Sequence, residues 1–169
     1  MISLVIGEFC EDVFIYGKTL RLSPEAPVPV FNPIRTVKNS GMAGNVYNNL
    51  KSLDDKAIVH IVRQTGIMRK TRYVDDKSNH MFMRVDEGEE FTKLYDKDFD
   101  VSNYDLVIVS DYNKGFLSND HLMQIGNTCT GVSIIDSKRH LTDDVISSYG
   151  FVGMFIYQDG AAKAYITAK

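Results

Sequence analysis

The sequence predicts an α/β protein, with a mainly parallel sheet carrying helices and a separate, smaller β element. Three observations predict it. Residues 105–110 (Asp-Leu-Val-Ile-Val-Ser) and 132–136 read as two short buried strands with a helical segment between them, and that order with a short crossover implies a parallel unit. Val46, Tyr47, Leu50 and Leu53 fall at i, i+1, i+4 and i+7, which is one face of a helix. In residues 81–85 the period is two instead, with Met81, Met83 and Val85 alternating against Phe82 and Arg84.

Taken in order, residues 2–6 (Ile-Ser-Leu-Val-Ile) form a continuous apolar run suited to a buried strand, ended by Gly7 and the polar Glu8, Glu11 and Asp12. Residues 13–16 are a second short β-like run. Residues 23–30 carry prolines at 24, 27 and 29. Proline fixes φ and lacks an N–H, so this piece is extended or lies at a sheet edge. Residues 34–37 read as one more strand. The helix of Val46 to Leu53 opens near Gly41-Met42-Ala43-Gly44-Asn45. Residues 57–62, 71–74 and 81–85 are strand candidates, the last two exposed. Ser118 is the N-cap of a helix over 118–125, with Asp120 in its first turn. Residues 151–157 and 161–167 flank Asp159-Gly160, a two-residue hairpin signal.

The chain has 169 residues, which fits one domain of ordinary size. Its net charge of −3 gives no basic footprint for nucleic acid, and no apolar stretch approaches the ~20 residues that span a bilayer. Neither nucleic acid nor a membrane is therefore an expected partner. No basic segment precedes residues 2–6 as a signal peptide would require. Two cysteines, Cys10 and Cys129, make no disulfide framework and read as free thiols of a reducing, cytoplasmic compartment. His60, His80, His121 and His140 lack metal-ligand spacing, so no metal site is expected.

In open α/β sheets, ligands bind beyond the carboxyl ends of the strands. Three such ends are polar here: the first leads to Asp12, the second to Asp111-Tyr112-Asn113-Lys114, and the third to Asp136-Ser137-Lys138-Arg139. Aspartate accepts hydrogen bonds from sugar hydroxyls, and lysine meets a phosphate as a point charge. The turn at 41–45 brings backbone N–H groups toward a ligand at a helix N-terminus. It lacks the Gly-Lys-Ser/Thr ending of a Walker A loop.

These residues resemble a known family. Gly7-Glu8-Phe9-Cys10-Glu11-Asp12-Val13-Phe14, followed by Arg21-Leu22 and Ser-Pro-Glu-Ala-Pro-Val-Pro-Val at 23–30, is similar to the start of PfkB (ribokinase-like) carbohydrate kinases, and most of all to their heptose-7-phosphate kinase branch. Gly41 to Leu50 resembles that family's glycine-rich sugar-binding turn and helix. Thr71-Arg72-Tyr73-Val74 through Met83-Arg84-Val85-Asp86 resembles the second part of its β lid. Ser110 to Gly115 and Asp136-Ser137-Lys138 resemble its later strand ends.

The resemblance implies one ribokinase-like domain over 1–169, with lid elements at about 13–38 and 70–87. It implies sugar binding by Asp12, Gly41, Asn45, Asp111 and Lys114, and phosphate contacts from Arg72, Arg84 and Lys138. ATP and Mg²⁺ are the implied cofactors, a sugar phosphate is the substrate, and lid pairing implies a homodimer. Two family positions differ: the usual second glycine of the turn is Met42, and the usual aspartate after the first glycine is Glu8. The family's Gly-Ala-Gly-Asp transfer motif is absent from this sequence, so no residue is assigned a catalytic role and the C-terminal half of the fold is expected to be incomplete. Two functions are expected from this: a sugar-phosphate kinase, or a non-catalytic sugar-phosphate-binding or dimerisation module derived from one.

Overall fold

The computed structural model describes residues 1–88, 100–158 and 161–168, without side chains from 155 to 165. The expected turn at Asp159-Gly160 lies outside the described residues. A six-stranded sheet has the order β10-β9-β8-β7-β1-β4. It comprises β1 (Ile2–Gly7), β4 (Ile58–Val62), β7 (Leu106–Asp111), β8 (Val132–Ser137), β9 (Phe151–Gln158) and β10 (Ala161–Ala168). Neighbours from β9 across to β4 are parallel, and β10 closes the sheet antiparallel to β9. The α/β class and the parallel unit of β7 and β8 are as the sequence predicts.

Among the described residues, three helices cover this sheet unequally. α2 (Asn119–Thr128) and α3 (Asp143–Ser148) share one face, where Leu122, Ile125, Val145 and Tyr149 pack on Leu4, Ile6, Val107, Val109 and Ile135. The Tyr149 hydroxyl donates to the Leu122 carbonyl at 2.8 Å and locks α2 to the end of α3. α1 (Ala43–Leu53) packs on the opposite face, setting Val46, Tyr47 and Leu50 against Val5 and Val59 of β1 and β4. Strand alternation turns Val132 and Phe151 to that same face, beyond the reach of α1, and they remain 47% and 46% exposed. Ser118 caps α2 as predicted, in a capping box whose third residue is His121 in place of the usual glutamate. α3 has no counterpart among the sequence expectations. It is six residues long, is capped by Thr142, and carries Asp143 and Asp144 in its first turn.

A second, four-stranded sheet has the order β3-β2-β5-β6, contains the segments expected to be lid elements, and is termed the lid: β2 (Phe9–Leu22), β3 (Pro29–Met42), β5 (Met68–Asp75) and β6 (Met81–Glu87). The lid strands run from 9 to 42 and from 68 to 87, beyond the expected 13–38 and 70–87. β1 ends at Gly7 as expected, but Glu11 and Asp12 lie inside β2 rather than before it, and both side chains find cations on neighbouring strands. Glu11 pairs with Arg69 of β5 and Lys38 of β3, and Asp12 pairs with Arg72 of β5. β3 is an edge strand, which accommodates Pro29 and Pro33 without the loss of a ladder bond on both sides. The turn at 23–28 is closed by Ser23 N–H donating to the Val28 carbonyl at 2.8 Å.

The lid grows out of the core at one junction. β1 ends at Gly7 and β2 begins at Phe9, while β3 ends at Met42 and α1 begins at Ala43. Gln64 clamps Phe9 by accepting from its N–H at 2.8 Å and donating to its carbonyl at 2.5 Å. Between the strands, the fully buried Glu8 carboxylate accepts from the backbone N–H groups of Tyr112 (2.8 Å), Lys114 (3.1 Å) and Phe116 (3.4 Å). It fixes the loop after β7 to the root of the lid. Met42 has φ 56° and ψ −130° at the N-cap of α1, a conformation natural to glycine, and its buried side chain joins Cys10, Met68 and Tyr112.

Three outcomes follow from this junction. Glu8→Ala leaves three backbone donors without their acceptor and should destabilise the protein by about 3 kcal/mol in urea unfolding; a loss under about 1 kcal/mol would remove Glu8 from this role. Met42→Gly loses the same buried side chain as Met42→Ala but relieves backbone strain of about 1–3 kcal/mol. The glycine variant should therefore melt higher than the alanine variant, against the usual order, and equal melting would show that no strain is stored. The guanidinium of Arg69, followed by Lys38, holds the Glu11 carboxyl below its ordinary 4.5. A depressed carboxylate stabilises the fold above its unfolded pKa, and that stability disappears as pH falls through the lower folded value. Glu11→Gln should flatten the acid limb of the stability profile below pH ~4.5, and an unchanged limb would count against the bridge.

Candidate functional site

A cavity of about 580 Å³ opens where the lid root meets the carboxyl ends of the core strands. β2 contributes Asp12 and Phe14, the end of β3 contributes Asn39 to Met42, and the first turns of α1 contribute Asn45 and Asn48. Tyr112, on the loop after β7, closes the core side. The structure thus brings Asp12, Gly41 and Asn45 to one cavity from three different elements. The alternation of β2 puts Asp12 on the same face as Cys10 and Phe14, and Asn45 and Asn48 lie one helical turn apart on the exposed side of α1.

Asp12 is held in place before any ligand arrives. Arg72 Nη1 donates to its Oδ1 at 2.6 Å, and both side chains stay about one-fifth exposed (22% for Arg72 and 23% for Asp12). The Cys10 thiol donates to Oδ2 at 3.8 Å, and burial, with the Asp12 charge behind it, pushes that thiol up from its ordinary 9.0. Gly41 lies directly against the Asp12 carboxylate and Cys10 Sγ, so any side chain at 41 collides with both. Its role is to leave room for the carboxylate rather than to supply an unusual φ.

The remaining sequence-predicted residues take other places. Asp111 is 1% exposed, and its carboxylate is spent inside the protein. It accepts from Arg139 Nε and Nη2, both at 2.6 Å, from Ser137 Oγ at 2.6 Å and from the Asn113 N–H at 3.0 Å. That network braces the ends of β7 and β8 behind Tyr112, and Asp111 does not line the cavity. Arg84 is engaged by Asp86 on its own strand at 2.5 and 2.7 Å. Arg72 serves Asp12. Lys138 sits with its Nζ 4.0 Å from the centre of the Tyr112 ring, and Lys114 follows two residues after Tyr112, its N–H on Glu8.

Glu8, Gln64 and Arg139 position the site, and sequence reasoning missed all three in this role. Only Glu8 carried a signal, as a carboxylate immediately after the first strand, where it reads as a strand terminator. Among the described residues, no three histidine, cysteine, aspartate or glutamate side chains are grouped to hold a metal ion, and no helix is long and apolar enough to cross a membrane.

Comparison with known proteins places this arrangement. No family model matches the chain. The chain is 36% identical over 147 residues to the bifunctional protein HldE of Helicobacter pylori, covering 68% of this chain and 32% of that protein. It is 31% identical over 158 residues to HldE of Syntrophotalea carbinolica (73% and 32%) and 32% identical over 167 residues to HldE of Nitratiruptor sp. (80% and 36%). It therefore spans about a third of the length of the curated relatives it matches. In fold it is similar to the ribokinase of Thermotoga maritima, with TM-score 0.59 and 11% identity over 99% of this chain and 78% of that one. It is also similar to a carbohydrate kinase from Agrobacterium tumefaciens, with TM-score 0.58 and 11% identity over 99% and 73%. By motif, by relatives and by the parallel sheet with its β lid, the chain belongs to the PfkB, ribokinase-like family of carbohydrate kinases, and matches part of HldE.

Proposed function

We propose that the cavity between lid root and core binds the carbohydrate of a sugar phosphate, and that the chain is the sugar-binding and lid portion of a heptose-7-phosphate kinase. The observation that carries this reading is the convergence of Asp12, Gly41 and Asn45 on one cavity. A carboxylate with one oxygen fixed by Arg72 keeps lone pairs for vicinal hydroxyls, and the amides of Asn45 and Asn48 supply both donors and acceptors. Tyr112 and Phe14 provide flat apolar walls for the C–H faces of a sugar ring. The HldE relatives and the resemblance of the motifs favour heptose 7-phosphate as that sugar.

ATP-dependent phosphoryl transfer to a sugar hydroxyl, with Mg²⁺, belongs to the kinase reading. No Gly-x-Gly-Asp turn occurs in the sequence. That observation favours the second reading, a sugar-phosphate-binding or dimerisation module, for this chain on its own. The exposed apolar side chains of the lid, among them Ile34, Met81 and Met83, favour pairing of two lids in a homodimer. The free thiols Cys10 and Cys129 fit a cytoplasmic setting.

Calorimetry with heptose 7-phosphate tests the sugar site. The wild-type chain should bind, and Asp12→Asn, which keeps shape but removes charge, should weaken binding about 10- to 100-fold. Asp12→Asn and Asn45→Ala variants that bind as tightly as the wild type would overturn the assignment. A coupled ADP assay should show little turnover by this chain alone, and normal turnover would overturn the binding-module reading.

A further inference from the structure

β4 ends the core sheet on the side opposite β10, and among the described residues no strand pairs with its outer edge. An uncovered edge offers a row of backbone N–H and C=O groups to another strand, and proteins blunt such edges with proline, charged side chains or bulges. β4 uses none of these. Its sequence is Ile-Val-His-Ile-Val, and it pairs with β1 in unbroken register over all five residues. Ile58 at its start is 52% exposed, and Leu53, at the end of the helix that leads into it, is 83% exposed. The Tyr104 hydroxyl bonds His60 Nδ1 at 3.1 Å, which holds the imidazole over the sheet face and leaves the edge clear. We propose that the β4 edge is a self-association surface, where a second copy of this chain adds its own β4 antiparallel about a two-fold axis at His60 and joins the two sheets into one.

The strand itself names its partner, because it reads almost the same in both directions about His60. Pairing around that axis sets Ile58 against Val62, Val59 against Ile61, and His60 against its own counterpart. Residues directly opposite in an antiparallel pair lie on one face of the sheet. Ile58, His60 and Val62 therefore meet on one face and Val59 and Ile61 on the other, so each aliphatic side chain finds an aliphatic partner and the exposed Ile58 is covered. A shift of register leaves part of the strand unpaired. The flanks are complementary as well. Asp55 precedes the strand and Arg63 follows it, and antiparallel pairing brings the start of one copy beside the end of the other, twice by symmetry. Such an interface uses the same patch on both copies and closes at two, so it gives a discrete dimer rather than a filament. β4 contributes no residue to the sugar cavity or to the lid sheet, so this contact is independent of both readings above.

Sedimentation velocity on the full chain, from micromolar to hundreds of micromolar, tests the contact. The wild type should associate as concentration rises. His60→Lys and His60→Glu each place like charges opposite one another across the axis, and each should weaken that association by at least about 10-fold. Mixed one to one, the two variants should associate again, because a lysine then faces a glutamate. Lid pairing is untouched by these substitutions, so the edge contact is the step lost in each variant and regained in the mixture. Circular dichroism should show both variants folded, and Ile58→Lys, at an exposed position, should weaken association in the same way if either is not. A wild type that stays monomeric, single variants that associate as the wild type does, or a mixture that stays dissociated would each overturn the β4 contact. A wild-type dimer indifferent to all three substitutions would assign association to another surface and overturn it equally.

Discussion

A single buried carboxylate sets the geometry of this molecule. Glu8 sits between the last residue of β1 and the first residue of the lid, and it gathers the N–H groups of Tyr112, Lys114 and Phe116. A buried charge of this kind is tolerated only when its oxygens are filled, and three backbone donors fill them. The consequence is geometric. The loop that carries the core wall of the cavity cannot shift without the root of the lid, because both hang on the same side chain. Gly7, packed against the Ser110 backbone with no room for a Cβ, brings the strands close enough for that reach. An aspartate at position 8 is one methylene shorter, so the family's residue and this one require slightly different spacings of the loop.

Two aspartate–arginine pairs show how exposure divides roles between identical chemistries. Asp12–Arg72 and Asp111–Arg139 both close at 2.6 Å. The Asp111 side chain is fully buried, bound by two arginine nitrogens and a serine hydroxyl, and has no lone pair directed to solvent. It braces the ends of two strands. The Asp12 side chain keeps 23% of its surface open toward the cavity and accepts a single strong donor on one oxygen. Arg72 fixes the rotamer of Asp12 without exhausting its acceptor capacity, which is what preorganisation for a hydroxyl ligand requires. Both residues occupy polar strand ends in the sequence, and only their surroundings separate a brace from a ligand contact.

The elements that were legible in the sequence are those with a long or uninterrupted pattern. α1 declared itself by Val46, Tyr47 and Leu50, although Leu53, the expected last member of that face, is exposed; β7 and β8 did so by their apolar runs, and α2 by Ser118. The lid strands were legible as strands but not in extent, because register shifts near Tyr16 and Leu22 break the alternation and because ion pairs, invisible in one dimension, sustain β2 through Glu11 and Asp12. α3 has one buried residue in six, too little for any period to show. The site divides in the same way. Asp12, Gly41 and Asn45 lie in motifs that the sequence displays, and the structure brings them to one cavity. Glu8 acts across 104 to 108 residues and Gln64 across 55 residues of sequence, and no local pattern encodes such contacts. Asp111 stands in a polar strand-end motif like theirs, yet its partner Arg139, 28 residues away, turns it inward.

Packing is unevenly distributed around the cavity. Every wall of the cavity comes from β2, β3, α1 and the loop after β7, and these meet at the Glu8 junction. β7 is secured from below by the cluster of Leu122, Ile125, Val145 and Tyr149, which α2 and α3 complete within this chain. The incompletely covered surface lies elsewhere, on the α1 side of β8 and β9, where Val132 and Phe151 stay half exposed. Parallel strands ordinarily have both faces covered; among the described residues the half-exposed pair Val132 and Phe151 lies on β8 and β9, whereas Asp12 and Asn45 lie on β2 and α1. The cavity at the lid junction is thus walled by elements that pack on the well-covered half of the sheet.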